Sequence, residues 1–547
     1  MGGDTSGIDT DAVLDTVVDA LREADKPFDA PDESAVRESF FDFEDVTAGE
    51  HIEHYWVTEP FALVSIRREE DGELRYHVAE PVLDDFEEHV REDLTEVLRR
   101  ELVDVDVESA DDPEAAFVDH LDDLLARHGA ALDPHTQHKL AYYFQRDFVG
   151  YGVVDPLMSD PSVEDVSCDG ANVPVFVYHA DYGNVKTGLT LSEERLDSLV
   201  VRLAQRCDRH LSEAKPLLTD TLPDGSRAQV TLESDVATRG SNFTVRKFRE
   251  EPFTPPELAA YGTFSIPQLA YIWLAVEHNK SVLFVGPTAS GKTTSMNAVT
   301  LFVPPDDKVV SIEETREVNL PHENWIANVT REAGMGETRE EVSTDDLLSE
   351  ALHQRPDHVI VGEIRVDPDV VRTFFQAMGT GHAGFSTFHA ETARDTLRRL
   401  RHDPLSVPDE LLADLDVISV QHLLELDGDT ARRCRWMTEV REAGGERPEL
   451  HEVFAHDQGT DSIEQTGPSR VLADIARDRG WSEEQLTREL RERQQVLAHL
   501  VETDTTGYEE SVDWFFRFAR ERQQVLDEIP ARDVAPVNAA SETDVRE

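Results

Sequence analysis

A glycine-rich segment between an apolar run and a helix-like stretch is the first candidate for chemistry. It reads G-P-T-A-S-G-K-T at 286–293 and fits the spacing G-x-x-x-x-G-K-[ST]. In such a loop, backbone N–H groups turn inward around phosphate oxygens. The lysine adds positive charge at the β- and γ-phosphates of ATP, and the hydroxyl that follows it binds Mg²⁺. The predicted nucleotide-binding residues are Gly286, Pro287, Thr288, Ala289, Ser290, Gly291, Lys292, Thr293 and Thr294, with Thr293 as the Mg²⁺ ligand.

Acidic residues end two further apolar runs. Glu363 ends H-V-I-V-G-E, and Glu313 and Glu314 end K-V-V-S-I-E-E. Because parallel strands bring their carboxyl ends to one edge of a sheet, these carboxylates are predicted to lie beside the phosphates. Glu363 is predicted to orient or deprotonate the attacking water. Glu313 and Glu314 would support it, and Glu314 and Glu363 would hold Mg²⁺ through water.

Two histidines, His382 and His389, flank a run that contains Ser and Thr, in G-T-G-H-A-G-F-S-T-F-H-A-E. A neutral imidazole can sense the γ-phosphate by hydrogen bonding and report its loss. H-x6-H without a third ligand nearby is a poor zinc pattern. Taken alone, the pair fits two structural histidines better. Beside the phosphate loop, both are predicted to be γ-phosphate sensors.

These residues require a scaffold that brings strand ends together. From 259 to about 440, apolar strand, glycine loop and helix alternate. Continuous apolar strands that alternate with helices indicate a parallel sheet covered on both faces. The predicted strands are 281–286, 308–313, 358–363 and 384–389. The predicted fold class is α/β.

The four motifs together resemble the type II/type IV secretion ATPase superfamily, most closely the archaeal pilus-assembly and secretion ATPases and the archaellum motor ATPase. The matching segments are GPTASGKTT, SIEETRE, RPDHVIVGEIR and GTGHAGFSTFHAET, in the family's order and spacing. The likeness covers nearly everything after residue 40. The sequence shows no tetracysteine zinc module, which favours the archaeal branch.

The resemblance implies a hexameric ring in which a flexible linker joins N-terminal domains to a RecA-like motor domain, with ATP between them. Arginines of the N-terminal domain would reach the phosphates and stabilise the transition state. The matching positions are Arg227, Arg239 and Arg246. Without the family, these would be surface salt-bridge partners. The implied partner is an integral-membrane platform protein. The implied location is cytoplasmic, peripheral at the inner face of the cell membrane, with no direct insertion.

The remaining segments flank this motor domain. Prolines at 252, 255 and 256 indicate a linker, and the heptapeptide R-E-R-Q-Q-V-L occurs at 491–497 and again at 520–526. The predicted divisions are an acidic flexible lead-in at 1–40, a small α/β domain at 41–105, an α/β domain with a helical lead-in at 106–250, the linker at 251–258, the RecA-like domain at 259–440, a mostly helical region at 441–529 and a disordered tail at 530–547.

Composition limits the partners. The chain has 52 Lys+Arg and 113 Asp+Glu, a formal net charge of −61. Such a chain repels nucleic acid and anionic lipid, so no nucleic-acid partner is expected. Acids spread over many segments resemble proteins of extreme halophiles, in which molar salt screens self-repulsion. Three isolated cysteines fit neither a disulfide framework nor a zinc pair and favour a reducing cytoplasm.

The predicted function is an ATP-hydrolysing hexameric motor that powers assembly or secretion of type IV pilus-like filaments or proteins. An archaellum motor ATPase is the alternative within the family. A DNA-transfer motor is the alternative of another class. That motor needs basic residues in a ring pore, and this chain offers few outside the nucleotide site.

Overall fold

The protein is described by a computed structural model, which covers residues 7–24, 26–47, 49–69, 71–104, 113–128, 132–233, 237–248, 251–331, 341–365, 367–426, 429–443, 447–530 and 534–539. The chain divides into an N-terminal unit, Met1–Phe248, and a C-terminal unit, Arg249–Glu547. Among the described residues, no helix combines the length and the apolar character that crossing a lipid bilayer requires.

Strands from the whole of the N-terminal unit form one sheet. They are β1 (Glu50–Thr58), β2 (Ala62–Arg68), β3 (Leu74–Ala79), β4 (Val163–Cys168), β5 (Pro174–His179), β6 (Gly183–Thr190), β7 (Leu217–Thr221), β8 (Arg227–Thr231) and β9 (Asn242–Arg246). Their order is β1-β2-β3-β6-β5-β4-β9-β8-β7. β3 and β6 pair in parallel, with Tyr76 opposite Thr187. The segments 41–105 and 106–250 therefore share a sheet and are not separate domains. The pairing joins distant residues, so local pattern does not reveal it.

Helices of this unit begin earlier than the sequence suggests. They are α1 (Thr10–Glu23), α2 (Glu33–Ser39), α3 (Glu44–Thr47), α4 (Asp85–Asp104), α5 (Pro113–His128), α6 (Pro134–Phe148), α7 (Asp155–Ser159) and α8 (Glu193–Arg206). In α1 and α2, Val17, Leu21 and Val36 are buried in one cluster with Phe40. The predicted flexible lead-in is thus structured from Thr10 onward, because its few apolar residues share one face. Residues 1–6 lie outside the described residues.

The C-terminal unit contains the predicted parallel strands. They are β10 (Val282–Val285), β11 (Val309–Glu313), β12 (Trp325–Val329), β13 (His358–Glu363), β14 (Ala383–Phe388) and β15 (Val417–Leu426). Their order is β12-β11-β13-β14-β10-β15. β14 thus lies between β10, which precedes the glycine loop, and β13, which ends in Glu363. The predicted α/β fold class with a RecA-like core is confirmed.

Helices cover both faces of this sheet, as continuous apolar strands require. They include α9 (Pro255–Ala260), α10 (Ile266–Glu277), α11 (Lys292–Thr300), α12 (Thr344–His353), α13 (Pro368–Gly379), α14 (Ala393–Arg401) and α15 (Asp409–Leu412). Alternate residues of β10 enter different cores. Val282 and Phe284 pack in a cluster with α10 and α11, whereas Leu283 and Val285 pack in one with α12 and α13.

The sheet continues past residue 440. β16 (Asp429–Ala443), β17 (Arg447–Asp457) and β18 (Ser462–Gln465) extend it from β15 in antiparallel order. The prediction of a mostly helical region from 441 is therefore wrong up to Gln465. The segment is rich in charged residues, and its strands are defined by pairing with β16 and with each other.

Helices α16 (Arg470–Arg479), α17 (Glu483–Glu502) and α18 (Tyr508–Glu528) complete the unit. Trp273 of α10 stacks on Phe302, with ring centroids 4.9 Å apart, and meets Phe515 and Phe518 of α18. The predicted tail begins with contacts of its own, because Val537 is buried. The disorder expected at 530–547 is therefore wrong for 534–539. Residues 531–533 and 540–547 lie outside the described residues.

The predicted linker contains a helix start. Thr254 caps α9, since its side chain accepts from the Glu257 N–H while the Glu257 carboxylate accepts from the Thr254 N–H. Pro255 and Pro256 occupy the first helical positions, where the N–H they lack is not needed. The Thr254 hydroxyl also donates to the Thr506 carbonyl at 2.7 Å. Proline here begins a packed helix, and the linker expected at 251–258 is wrong from Thr254 onward.

Candidate active site

The strand ends bring the motif residues to one edge of the second sheet. β10 and β14 end together, with Val285 opposite Phe388. On the other side of β14, Glu363 of β13 lies opposite Thr387. The glycine loop after Val285, the carboxylate of Glu363, and His389, which follows Phe388, therefore share this edge.

At two positions, the backbone of the glycine loop requires glycine or strongly favours it. A Cβ at Gly286 would lie 2.3 Å from the carbonyl oxygen of Gln421, so this position has no room for a side chain. Gly291, which caps α11, has a φ of +84°, and Ala289 has a φ of +61°. These left-handed residues turn the chain sharply between β10 and α11. The result is the start of a helix whose N–H groups can bind an anion.

Two side chains fold onto the same loop carbonyl. The Lys292 Nζ donates to the Pro287 oxygen at 2.9 Å, and the Ser290 hydroxyl donates to it at 2.8 Å. Lys292 is buried, whereas Thr293 and Thr294 are half-buried on α11 and Thr288 is exposed. The lysine is thus already held at the loop, where a phosphate can take over its contact.

The carboxylate of Glu363 is held from two sides. Its Oε1 lies 3.1 Å from Nε2 of His389, and its Oε2 lies 3.1 Å from Nε of Arg365. Burial, and then the charge of Lys292, lower the pKa of His389 against the opposing effect of Glu363. The imidazole is therefore neutral at neutral pH and can donate from Nε2 to the carboxylate.

The two acids after β11 have different surroundings. Glu313 is buried, and its Oε1 accepts from the N–H groups of Glu317 and Val318, each at 2.9 Å. Its Oε2 is buried and has no hydrogen-bond partner among the described residues. Burial raises the pKa of Glu313 to about 7. Glu314 instead forms an ion pair with Arg365 at 3.0 Å, which connects it to Glu363.

The histidines of the last motif lie at opposite ends of β14. His382 precedes the strand, and its Nδ1 lies 3.1 Å from the Ala377 oxygen and 3.0 Å from the Thr380 hydroxyl. Because β14 separates the two rings by its full length, only His389 reaches the edge that carries Glu363. The prediction that His382 senses the γ-phosphate is therefore wrong, and its contacts end α13 instead.

Two of the three predicted arginines are brought together. Arg227 of β8 lies directly opposite Arg246 of β9, and Asp165 of β4 lies opposite Arg246 on the other side. Directly opposed like charges destabilise a strand pair unless an anion relieves them. Arg239 is exposed in the segment between the two strands. All three belong to the N-terminal unit.

One contact to the glycine loop comes from outside the four motifs. Nε of Arg432, on β16, donates to the Ala289 oxygen at 3.2 Å, and a Cβ at Gly291 would lie 3.2 Å from its Cδ. Sequence reasoning missed Arg432 because only the strand order β10-β15-β16 brings it there. The sequence signal that could have pointed to Arg432 is its place in a pair of consecutive arginines, Arg432 and Arg433, in an acid-rich chain.

Open space adjoins the carboxylate. A cleft of about 620 Å³ is lined by Glu363, Arg365 and His389, and opposite them by Arg398 and Arg399 of α14. Glu363 therefore faces a space large enough for water and phosphate groups. The positive side chains around it suit an anionic ligand.

The residues at this edge fit Mg²⁺. The hydroxyl of Thr293 and the carboxylates of Glu314 and Glu363 supply oxygen, the donor type that Mg²⁺ prefers. Within the described part of the chain, no group of three His, Cys, Asp or Glu side chains could hold a metal. Mg²⁺ in nucleotide sites commonly takes phosphate oxygens of the substrate beside one or two carboxylates.

A family model described as Type II/IV secretion system protein matches residues 184–502, more than half of the chain. The chain belongs to this family. Residues 9–82 also match a model described as PilB3-like, N-terminal. The family expected from the motifs is thereby confirmed.

Relatives extend over much of the chain. The uncharacterized protein MJ0900 of Methanocaldococcus jannaschii is 36% identical over 397 residues, 71% of this chain and 71% of that protein. The type IV secretion system protein PtlH of Bordetella pertussis is 30% identical over 264 residues, 44% of this chain and 77% of that protein. The VirB11 ATPase of the Brucella suis type IV secretion system, whose structure is solved, matches 51% of this chain and 90% of its own, with 23% identity and a TM-score of 0.26.

Proposed function

We propose that this secretion-family protein is an ATPase that converts ATP and water to ADP and phosphate. The observation that carries the proposal is that the phosphate loop and the Glu363–His389 pair lie at the same edge of the sheet. In this pair, Nε2 of His389 is 3.1 Å from Oε1 of Glu363. A nucleotide-binding scaffold would need the loop alone. A carboxylate held beside the loop is what hydrolysis adds.

In this proposal, Lys292 gives up its bond to the Pro287 oxygen and binds the β- and γ-phosphates, beside the loop N–H groups and those at the start of α11. Glu363 orients water in line with the γ-phosphorus and accepts its proton. Neutral His389 donates to Glu363 and fixes its rotamer, and Arg365 holds the other oxygen. Thr293, and Glu314 and Glu363 through water, would hold Mg²⁺, which when bound would supply positive charge for the phosphate oxygens.

The arginines of the N-terminal unit belong to the same proposal. Arg227 and Arg246 lie opposite each other on adjacent strands, with Asp165 on the other side of Arg246. With one carboxylate against two guanidinium groups, the cluster keeps a positive charge that suits binding of a γ-phosphate and stabilisation of the charge that develops on it. Arg239, which is not part of this pair, has the weaker case. Substitution of Arg246 by Gln should lower kcat more than substitution of Arg239 by Gln.

We further propose that six chains form a ring and that the ring works as a motor for type IV pilus-like assembly or secretion. It would act on an integral-membrane platform protein from the inner face of the cell membrane. Family membership and the match of residues 9–82 to the PilB3-like model support this wider proposal. A ring of six 61.5 kDa chains has a mass of about 370 kDa.

The test measures phosphate release from ATP in molar KCl, with and without Mg²⁺, together with particle mass by light scattering. We expect Mg²⁺-dependent turnover, which Lys292→Ala removes, and a mass near that of six chains. Turnover that Lys292→Ala leaves unchanged would contradict the ATPase assignment. In cells, Lys292→Ala should remove surface filaments and leave swimming intact, whereas loss of swimming alone would favour the archaellum alternative.

A further inference from the structure

A small surface beside the glycine loop combines a cation with an exposed apolar side chain. Arg432 of β16 lies directly opposite Leu423 of β15, and directly opposed residues point to the same face of a sheet. Arg432 reaches Ala289 and Gly291 of the loop. Leu423 therefore lies on the face of the sheet on which the loop turns into α11.

Leu423 is an exposed apolar residue in the second half of β15, where burial alternates along the strand. The first five residues of β15 are buried, and 38% of Leu423 is accessible to solvent. A leucine left open beside a glycine loop is a surface on which a flat ligand can lie. Leu423 is the exposed residue of β15 that Arg432 flanks.

The guanidinium of Arg432 is only partly used by the protein. Its Nε donates to the Ala289 oxygen, and among the described residues no carboxylate forms an ion pair with it. Its neighbour Arg433 differs, because it is buried and binds both oxygens of Asp461, at 2.9 and 2.8 Å. In a chain with 113 acidic residues, a guanidinium anchored to the phosphate loop and otherwise unpaired is available for a ligand.

We propose that Arg432 and Leu423 form the shelf that binds the base of the nucleotide whose phosphates occupy the glycine loop. This inference rests on the proposed nucleotide site and adds to it the subsite for the base. Nε anchors the side chain to the loop, and the rest of the guanidinium has no ion-pair partner among the described residues. A planar guanidinium stacks on aromatic ring systems, as the ammonium group of lysine does not, and the leucine side chain extends the apolar area beneath the base.

The test compares a ligand that has a base with one that lacks it, in molar KCl. ADP affinity is measured by calorimetry, and inorganic triphosphate is measured as an inhibitor of ATP hydrolysis. Arg432→Ala should weaken ADP binding about tenfold or more, the size of lost base stacking, and leave inhibition by triphosphate unchanged. Arg432→Lys should keep the charge but lose most of the ADP affinity. Leu423→Asn should repeat the ADP-selective loss without touching the loop.

Arg435→Ala is the matched control. Arg435 lies on the same strand with its guanidinium 4.4 Å from the ring centroid of Trp436, and its substitution should leave both ligands unaffected. Equal loss of ADP and triphosphate binding in Arg432→Ala would show that Arg432 only shapes the loop and would overturn the shelf. Unchanged ADP binding in both Arg432→Ala and Leu423→Asn would overturn it as well. A wild-type protein that binds neither ligand would instead refute the nucleotide site itself.

Discussion

At the scale of single residues, the site depends on how each polar side chain is held. Glu363 has a partner on each oxygen, at 3.1 Å in both cases. Glu313 has backbone donors on one oxygen and none on the other among the described residues. Two carboxylates at neighbouring strand ends thus differ in character. The half-buried, paired one suits proton transfer, and the buried one shapes the turn that follows β11.

Substitutions of the two histidines of the last motif should have different effects on kcat. His389 contacts Glu363, whereas His382 contacts the end of α13. His389→Ala should lower kcat about 100-fold, because general-base catalysis by Glu363 loses the donor that orients it, and His382→Ala should leave kcat within about twofold of wild type. The measurement is steady-state phosphate release, with thermal melting to confirm folding. Equal losses in both variants would refute this division of roles.

The buried Glu313 should make stability depend on pH. Burial raises its pKa from 4.5 to about 7, so the folded state holds this proton more tightly than the unfolded state. Its contribution to stability is therefore fully present below pH 4.5 and is lost as pH rises through about 7. Glu313→Gln cannot ionise, so relative to wild type its free energy of unfolding should rise by about 3 kcal/mol across this window.

The measurement for this prediction is urea unfolding of both proteins on either side of that window. Glu314→Gln is the matched control, because the Glu314 side chain is 44% exposed and paired with Arg365. It removes a carboxylate that is exposed, so comparison with Glu313→Gln isolates the effect of burial. If the difference in free energy of unfolding between Glu313→Gln and wild type did not change with pH, the raised pKa of Glu313 would be contradicted.

At the scale of elements, the repeated heptapeptide explains how the C-terminal helices are joined. Its third residue is Arg493 in α17 and Arg522 in α18, and both arginines bind Glu489, Arg493 at 2.9 Å and Arg522 at 2.8 Å. Arg493 also forms an ion pair with Glu277 of α10. The repeat therefore places two cations on one carboxylate, and the fused ion pairs hold α17 to both neighbours.

Arg493 and Arg491 lie in one heptapeptide and should respond differently to substitution. Arg493 is 3% exposed, whereas Arg491 is exposed. Arg493→Gln leaves Glu277 and Glu489 without this partner and should cost about 3 to 5 kcal/mol, as broken buried ion pairs do. Arg491→Gln should change stability by less than about 0.5 kcal/mol. Chemical unfolding monitored by tryptophan fluorescence measures both, and equal effects would refute the assigned network.

At the scale of the whole molecule, the net charge of −61 is the dominant property. Charges of one sign repel over a Debye length of about 10 Å at 0.1 M salt and about 3 Å at 1 M. The folded state brings them closer than the unfolded state does. Stability should therefore rise with salt.

The melting temperature should increase as KCl is raised from low to molar concentration. Because screening is the cause, equimolar sucrose should not reproduce the early part of the rise. Differential scanning fluorimetry at a series of concentrations checks this. A melting temperature that falls or stays constant with KCl would contradict a salt-adapted surface.

Local patterns predicted the parallel core and the loop, since apolar runs such as 282–285 and the motif at 286–293 are contiguous in sequence. Long-range pairing was not predictable, so the shared N-terminal sheet, β17 and the Arg432 contact were missed.

The error at His382 was avoidable. A strand rises about 3.3 Å per residue, so residues seven apart across β14 lie about 23 Å apart. The prolines at 255 and 256 led to the wrong prediction of a linker, because proline is common both in linkers and at the first positions of helices.

Single turnover of ATP by Glu363→Gln tests the central claim most directly. The amide keeps the shape of the side chain but cannot accept the proton of water. We predict that this variant binds Mg-ATP with wild-type affinity and fails to release phosphate, at a rate lowered at least about 1,000-fold. Rapid-quench detection of phosphate measures the step. Phosphate release at the wild-type rate would contradict the assignment of Glu363 and the active site built around it.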